Sequence, residues 1–530
     1  MEVGMRKTIW ALLHYGVLKR SLSKVGMLKT VWALWLGLMG VAAWAQTPAA
    51  MWRFFGSPAA NNPALPGVGK TTIYYPCLTR LYAVDLESGA LKWQYPADAP
   101  LNATIIGQPV EGDGLVYIGA SNGNVLALDI NTGSLRWVFT ADSAPTARPI
   151  LDEGVLYVGT GRGELYALNA RSGEPLWREP YRADDYISGR LVKDGDTLFF
   201  GTNGGFVHAV SAAGGRRRWL FRLPAPNYDP QPVFANGSLY VTTNDVVIAL
   251  NPNSGAVRWS RRFNTEFRLA PAADENHIAV ITRENRLFVF DTQGKIVAGD
   301  REPIELLYEP LTAPEIHNGK LWVATRRGTL LCYALPDGKL EWVYTLRPPE
   351  GTVDQNNRRV AYFALTGKPV FTPSGFVVAT AEGNLTAFGM GWVDRTAPQV
   401  VRTTPAIGEM LSGQLPLDFT ARLRDEGSGI NPASVQWLLN DEPLPAEYEP
   451  SLGEVTVRLR AGTAAKPLPD GRHTMTLVAT DWAGNTVRYT WAIYIDNSLR
   501  RAPARPQQQQ QGGPSAPGGG RGGRGGGGDF

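Results

Sequence analysis

The chain has 530 residues, 44% of them hydrophobic and 19% charged, which suits a large β-rich body with more than one domain. Its formal charge of +4 sits at the ends: residues 1–45 carry +5 and residues 500–530 carry +4, leaving about −5 for the rest. That balance excludes a basic nucleic-acid binder, and two cysteines exclude a disulfide framework.

Taken in chain order, the first feature is an export signal. Residues 31–45 are uncharged, follow Lys29 and end in Ala43-Trp44-Ala45, which reads as a secretory signal beginning at Met27 and cleaved before Gln46. Fifteen uncharged residues are short for a membrane span, retention as an anchor being the alternative. The expected address is periplasmic, envelope or extracellular, and no cysteine follows the cleavage point to accept a lipid.

From residue 46 a repeat of about forty residues takes over. A hairpin turn with glycine is followed four residues later by tryptophan: AVDLESGALKW ends at Trp93, ALDINTGSLRW at Trp137, ALNARSGEPLW at Trp177, AVSAAGGRRRW at Trp219, ALNPNSGAVRW at Trp259 and YALPDGKLEW at Trp342. VFDTQGKIVA is a degenerate copy. Between these turns stand Pro-led strands such as QPVEGDGLVYIG from Gln108 and RPILDEGVLYVG from Arg148. Four short strands per unit and eight units predict an all-β, eight-bladed propeller of four-stranded antiparallel blades over 46–392. The eighth unit lacks its outer strand, and MWRFFG around Trp52 is expected to supply it and close the ring; completion by Trp392 is the alternative. The seven tryptophans are expected to wedge between neighbouring blades.

The A-x-[DN]-x-x-[ST]-G-x-x-x-W pattern resembles the tryptophan-docking repeat of the pyrroloquinoline quinone (PQQ) propeller family, over residues 51 to about 390. That resemblance implies one of two branches, the quinoprotein dehydrogenases or non-catalytic propellers that assist outer-membrane assembly. The dehydrogenase branch typically carries adjacent cysteines over its cofactor and calcium ligands beside it. Cys77 and Cys332 are instead far apart, in blades one and seven, and read as buried thiols.

A different β pattern runs over 396–497, with DEGSGI at 425–430 and DWAGN at 481–485. It looks like a bacterial immunoglobulin-like sandwich. Asp425 and Asp481 suggest calcium ligands, but one loop does not supply enough oxygens, and the turn reading is preferred. Residues 498–530, rich in Gln, Gly and Arg, cannot build a core and are expected to be disordered.

No hydrolase elbow, zinc motif or nucleophile–base pair occurs, and the histidines (His14, His208, His277, His317, His473) are scattered. Loops between blades lead into the innermost strands, so Gln108, Arg148, Arg190, Gln231, Arg268 and Lys368 are expected to ring one mouth of the central channel. They are candidates for an anionic ligand, with PQQ plus calcium as the alternative to no cofactor, or are simply solvated rim groups. Tyr181, Tyr186, Tyr228, Tyr362 and Phe363 suit a protein or peptide partner as easily as a small molecule, and the long connection 347–368 is expected to take part in partner capture. The expectation is a monomeric, non-enzymatic binding or assembly scaffold of the envelope, with no metal site. The alternatives are a PQQ-dependent alcohol or sugar dehydrogenase and a surface-polymer or adhesion protein acting through the sandwich.

Overall fold

The computed structural model describes residues 47–56, 64–187, 189–224, 230–354, 356–462 and 465–499; the expected export signal, the tail and Tyr228 lie outside these. Eight antiparallel sheets follow one another as blades of a ring. Blade one runs from Gly67–Val68 to Leu91–Tyr95, blade two from Ile105–Gly112 to Leu135–Thr140, and the pattern continues to blade seven, Glu315–His317 to Leu340–Thr345. Blade eight takes Val370–Thr372, Gly375–Ala379 and Asn384–Met390 from one end of the repeat and Pro48–Phe55 from the other. Trp52 lies opposite Ala387 and Arg53 opposite Thr386 in an antiparallel ladder, so the amino-terminal strand closes the ring as expected. Trp392 lies outside the strands and is exposed.

The motif's residue types follow from its cross-strand rows. In blade two, Tyr117, Ala127 and Trp137 stand side by side on three strands, and blade five repeats this with Tyr240, Ala249 and Trp259. The central alanine leaves room for an aromatic on each side; ring centroids lie 5.8 and 5.9 Å apart. Such pairs add about 0.5–1.5 kcal/mol beyond their burial. Cys332 takes the alanine place between Trp322 and Trp342, which accounts for a small buried side chain there. In the degenerate blade six both flanking rings are lost, to Ala279 and Ala298, and the centre grows to Val289, which returns only a small part of the lost volume.

Six of the seven tryptophans then reach the next blade. The indole N–H of Trp52 donates to Leu86 O at 3.2 Å, Trp93 to Ile130 O at 2.8 Å, Trp137 to Ala170 O at 3.0 Å, Trp177 to Ala212 O at 3.1 Å, Trp219 to Pro252 O at 2.7 Å and Trp259 to Thr292 O at 3.1 Å. The turn glycine has a second role beyond its positive φ. At Gly133 a Cβ would stand 2.6 Å from the Trp93 ring, so the indole lies flat on the turn. Trp177 departs from the pattern in one respect: with Pro175 and Pro180 nearby, the outer strand of blade three shrinks to Tyr181–Arg182.

Trp342 has no such turn to meet, because blade eight's outer strand comes from the other end of the repeat. Its N–H instead donates to Ser428 O at 2.8 Å, from the 425–430 loop of the carboxy-terminal unit. That unit is a sandwich of two sheets. One orders Gln399–Thr404, Leu417–Arg424, Glu454–Leu459 and Ala446–Glu449; the other orders Met410–Leu411, Thr486–Ile495, Gly471–Thr480, Gln436–Leu439 and Glu442–Leu444. Phe419, Trp437, Met475 and Trp491 fill the space between them.

The sandwich is joined tightly to the ring. Ala50 N–H donates to Gly427 O at 3.1 Å, Trp482 Nε1 to Val343 O at 3.2 Å and Tyr344 OH to Glu426 O at 3.2 Å, while Arg53 pairs with Glu426 at 2.7 Å. Trp482 packs against the cores of blades six to eight. The connection 347–368, expected to take part in partner capture, is tied to this junction near its start. Arg347 donates to Pro450 O, and Glu350 pairs with Arg359 and with Arg422 of the sandwich. The connection's first residues therefore belong to the internal interface, while residues 353–354 and 356–359 remain exposed.

Candidate functional site

Arg148 and Arg190 open the innermost strands of blades three and four. Their backbones form a parallel bridge, with Arg148 N–H donating to Gly189 O at 2.8 Å, so the two side chains start roughly 5 Å apart. Both are exposed to a cavity of about 580 Å³ in the channel that Lys193 and Asp152 also line. Arg190 continues into a second cavity, about 210 Å³, with Gln231, Glu315 and Lys368. Gly189 makes this approach possible: its φ is +70°, and a Cβ there would stand 2.4 Å from Gln231 Cδ.

The charges divide unevenly. Lys368 pairs with Glu315, and Lys193 with Asp152 at 2.6 Å. Burial in the channel and then the neighbouring Arg190 pull the Arg148 guanidinium down to about 10, opposed by Glu315. Burial pushes the Glu315 carboxyl up, but Lys368, Arg190 and Arg148 together hold it below its ordinary range. Asp194, at the far end of the innermost strand Val192–Asp194, is the remaining carboxylate on the lining.

Of the six sequence candidates, Arg148, Arg190, Gln231 and Lys368 line these cavities. Gln108 is turned to structural use, its buried amide donating to Pro66 O at 2.8 Å. Arg268 is exposed outside both linings. Glu315 was missed, yet a signal existed: it holds the place occupied elsewhere by Val110, Ile150, Val192, Val233, Ala272 and Val370. Among the expected partner aromatics, Tyr181 is engaged with His208, which also meets Asp184 at 2.6 Å.

A second polar cluster lies at the ring–sandwich junction. Asp394, Asp425 and Asp481 bring carboxylate oxygens within 4.8 Å of one another, where the sequence reading had only the last two. Among the described residues these are grouped to hold a hard cation: each carboxylate brings one oxygen to the group, and the rest of the six to eight that calcium takes would have to come from second carboxylate oxygens, carbonyls or water. Their present partners are amides: Asp394 accepts from Ser428 N at 2.7 Å, Asp425 from Gly429 N at 2.6 Å and Asp481 from Asn485 N at 2.8 Å. Burial foremost, with Asp394 and Asp481 adding repulsion, pushes Asp425 up to about 7 against its amide bonds.

The geometry has counterparts among known proteins. BamB from Moraxella catarrhalis is similar over 64% of this chain and 97% of its own, at 17% identity and a TM-score of 0.51. The computationally designed Ika8 protein matches over 64% and 99%, at 13% identity and a TM-score of 0.50. The quinohemoprotein alcohol dehydrogenase ADHIIG from Pseudomonas putida HK5 matches over 69% and 79%, at 13% identity and 0.47. At these identities the likeness concerns the fold. A search of curated proteins found no match. The family model described as "Outer membrane protein assembly factor BamB" matches residues 40–220 and 203–422. With most of the chain matched and the ring of tryptophan-docked blades in place, the protein belongs to this BamB-type family of PQQ-like propellers.

Proposed function

We propose that the protein is an exported, non-catalytic binding and assembly scaffold of the cell envelope, acting as a monomer on an envelope protein or polymer. The observation that carries this reading is the assembly-factor family match across the whole propeller. The architecture supports it: ring closure by Pro48–Phe55 and the clamped sandwich make a firm platform whose connections into the innermost strands are free to vary. The sandwich's strand order supports the immunoglobulin-like reading of residues 396–497 as the platform's second module. A photo-crosslinker at Tyr186, in the connection into blade four, should capture an envelope component that one at Val138, on an outer strand, does not. Capture at Val138 alone, or at neither place, overturns the proposal.

The second reading, a PQQ-dependent oxidoreductase, is favoured by one observation, the two guanidinium groups on a cavity large enough for a polycarboxylate. The residues fit the cofactor's carboxylates but not its calcium. Glu315 is engaged by Lys368, and the aspartate trio stands at the sandwich junction, away from the channel lining. A saturable rise in melting temperature with PQQ plus calcium would favour this reading, since ligand at a hundred times its Kd adds roughly 2.7 kcal/mol. An unchanged melt leaves the scaffold in front.

A further inference from the structure

We infer that Arg148 and Arg190 form a binding site for a phosphate dianion, free or as the head of a phosphomonoester, inside the central channel. The inference deepens the scaffold reading by naming a chemistry the platform recognises, and it rests on that reading only for its biological use.

Four observations carry it. The backbones of the two arginines are held side by side by a bridge between neighbouring blades, so both side chains start from adjacent, fixed positions. They open on one cavity of the channel, where both remain exposed and reachable by a ligand. The other two channel cations are already matched, Lys368 by Glu315 and Lys193 by Asp152. That leaves two adjacent positive charges whose nearest acid, Glu315, is shared with Lys368. Asp194 sits at the opposite end of its strand, on a hairpin turn with Gly195.

Placing two like charges together costs energy, and an anion that accepts from both removes the cost. Charge and shape select its class. A single carboxylate neutralises one guanidinium, whereas a phosphate monoester carries close to two charges and three acceptor oxygens. Each guanidinium presents a planar fork of donors matched to such an oxyanion. A cavity of about 580 Å³ admits the phosphate together with a substituent the size of a sugar or a glycerol. Gly189 contributes by allowing Gln231 to pack at its Cα, which fixes the backbone that sets Arg190.

The test uses the full-length protein and calorimetric titration with inorganic phosphate, glycerol 3-phosphate, citrate and PQQ at matched ionic strength. Saturable binding of the two phosphates is expected, weakened about ten- to hundredfold in each of Arg148→Gln and Arg190→Gln. Arg268→Gln, outside both cavity linings, should bind as the wild type does. Melting curves establish that the variants fold. No phosphate binding above the salt control, binding undiminished in the double variant, or binding of citrate and PQQ in place of phosphate would each overturn the assignment. The Tyr186 crosslink separates this from the broader proposal. Capture without phosphate binding removes the site and leaves the scaffold; phosphate binding without capture does the reverse.

Discussion

Trp482→Ala tests whether the sandwich is part of the ring's closure. The side chain is half-buried between the cores of blades six to eight, and its N–H bonds Val343 O. Truncating a buried Trp to Ala costs about 3–5 kcal/mol, and partial exposure places this one near 3. The Val343 carbonyl loses the N–H it accepts from, which adds about 1 kcal/mol. The loss falls on the interface, because Trp437 and Trp491 hold the sandwich's own core. The remaining ties, among them Trp342 to Ser428, Ala50 to Gly427, Tyr344 and Arg53 to Glu426, Arg347 to Pro450 and Glu350 to Arg422, are polar contacts worth about 1 kcal/mol or less each and do not replace the apolar area that Trp482 buries. Scanning calorimetry should therefore give one cooperative transition for the wild type and two for the variant, with the sandwich unfolding separately. Two transitions already in the wild type, both unmoved by Trp482→Ala, would refute the reasoning.

Removing Arg190 by Arg190→Gln relieves repulsion on Arg148, so the ligand-free protein should melt at the same temperature or higher, by at most about 1 kcal/mol after screening by channel water. A clear drop would mean the arginine supports the fold. Asp425 has a folded pKa of about 7, above its unfolded value, so the folded state binds the extra proton and stability falls as pH rises from about 4 through 7. Asp425→Asn keeps an oxygen for Gly427 and Gly429 and should match the wild type at pH 4 but exceed it at pH 8 in thermal melts with chelator present. Equal pH slopes would contradict this. Trp52→Ala should cost about 3 kcal/mol and speed proteolysis within Pro48–Phe55, as loosening of the closing strand requires; cleavage elsewhere first would argue against that role.

Blade number and tryptophan docking were legible because each depends on residues within about forty positions of one another: Ala127 and Trp137 share a hairpin, and Gly133 meets Trp93 one repeat back. Ring closure joins distant segments, Trp52 to Ala387, and was legible only because the eighth unit lacks a strand that MWRFFG resembles. Strand period and positive-φ glycine report such neighbours directly. Half of the channel set was also legible, since residues beside the Pro of each innermost strand must face the axis; Glu315 broke an apolar column in plain view. Gln108 misled because its side chain finds a carbonyl close by.

Tertiary structure alone decided where the breaks in the repeat would be healed. Trp342 carries the same motif as Trp93, and nothing local says that its acceptor lies at Ser428, 86 residues later in another domain. The connection 347–368 looks like any exposed polar loop until Arg422 and Pro450 arrive beside it. Asp394 joins Asp425 and Asp481 only when the linker folds against two turns of the sandwich. Short-range hydrogen bonding and side-chain period are written along the chain, whereas the meeting of distant surfaces depends on the packing of whole blades and sheets.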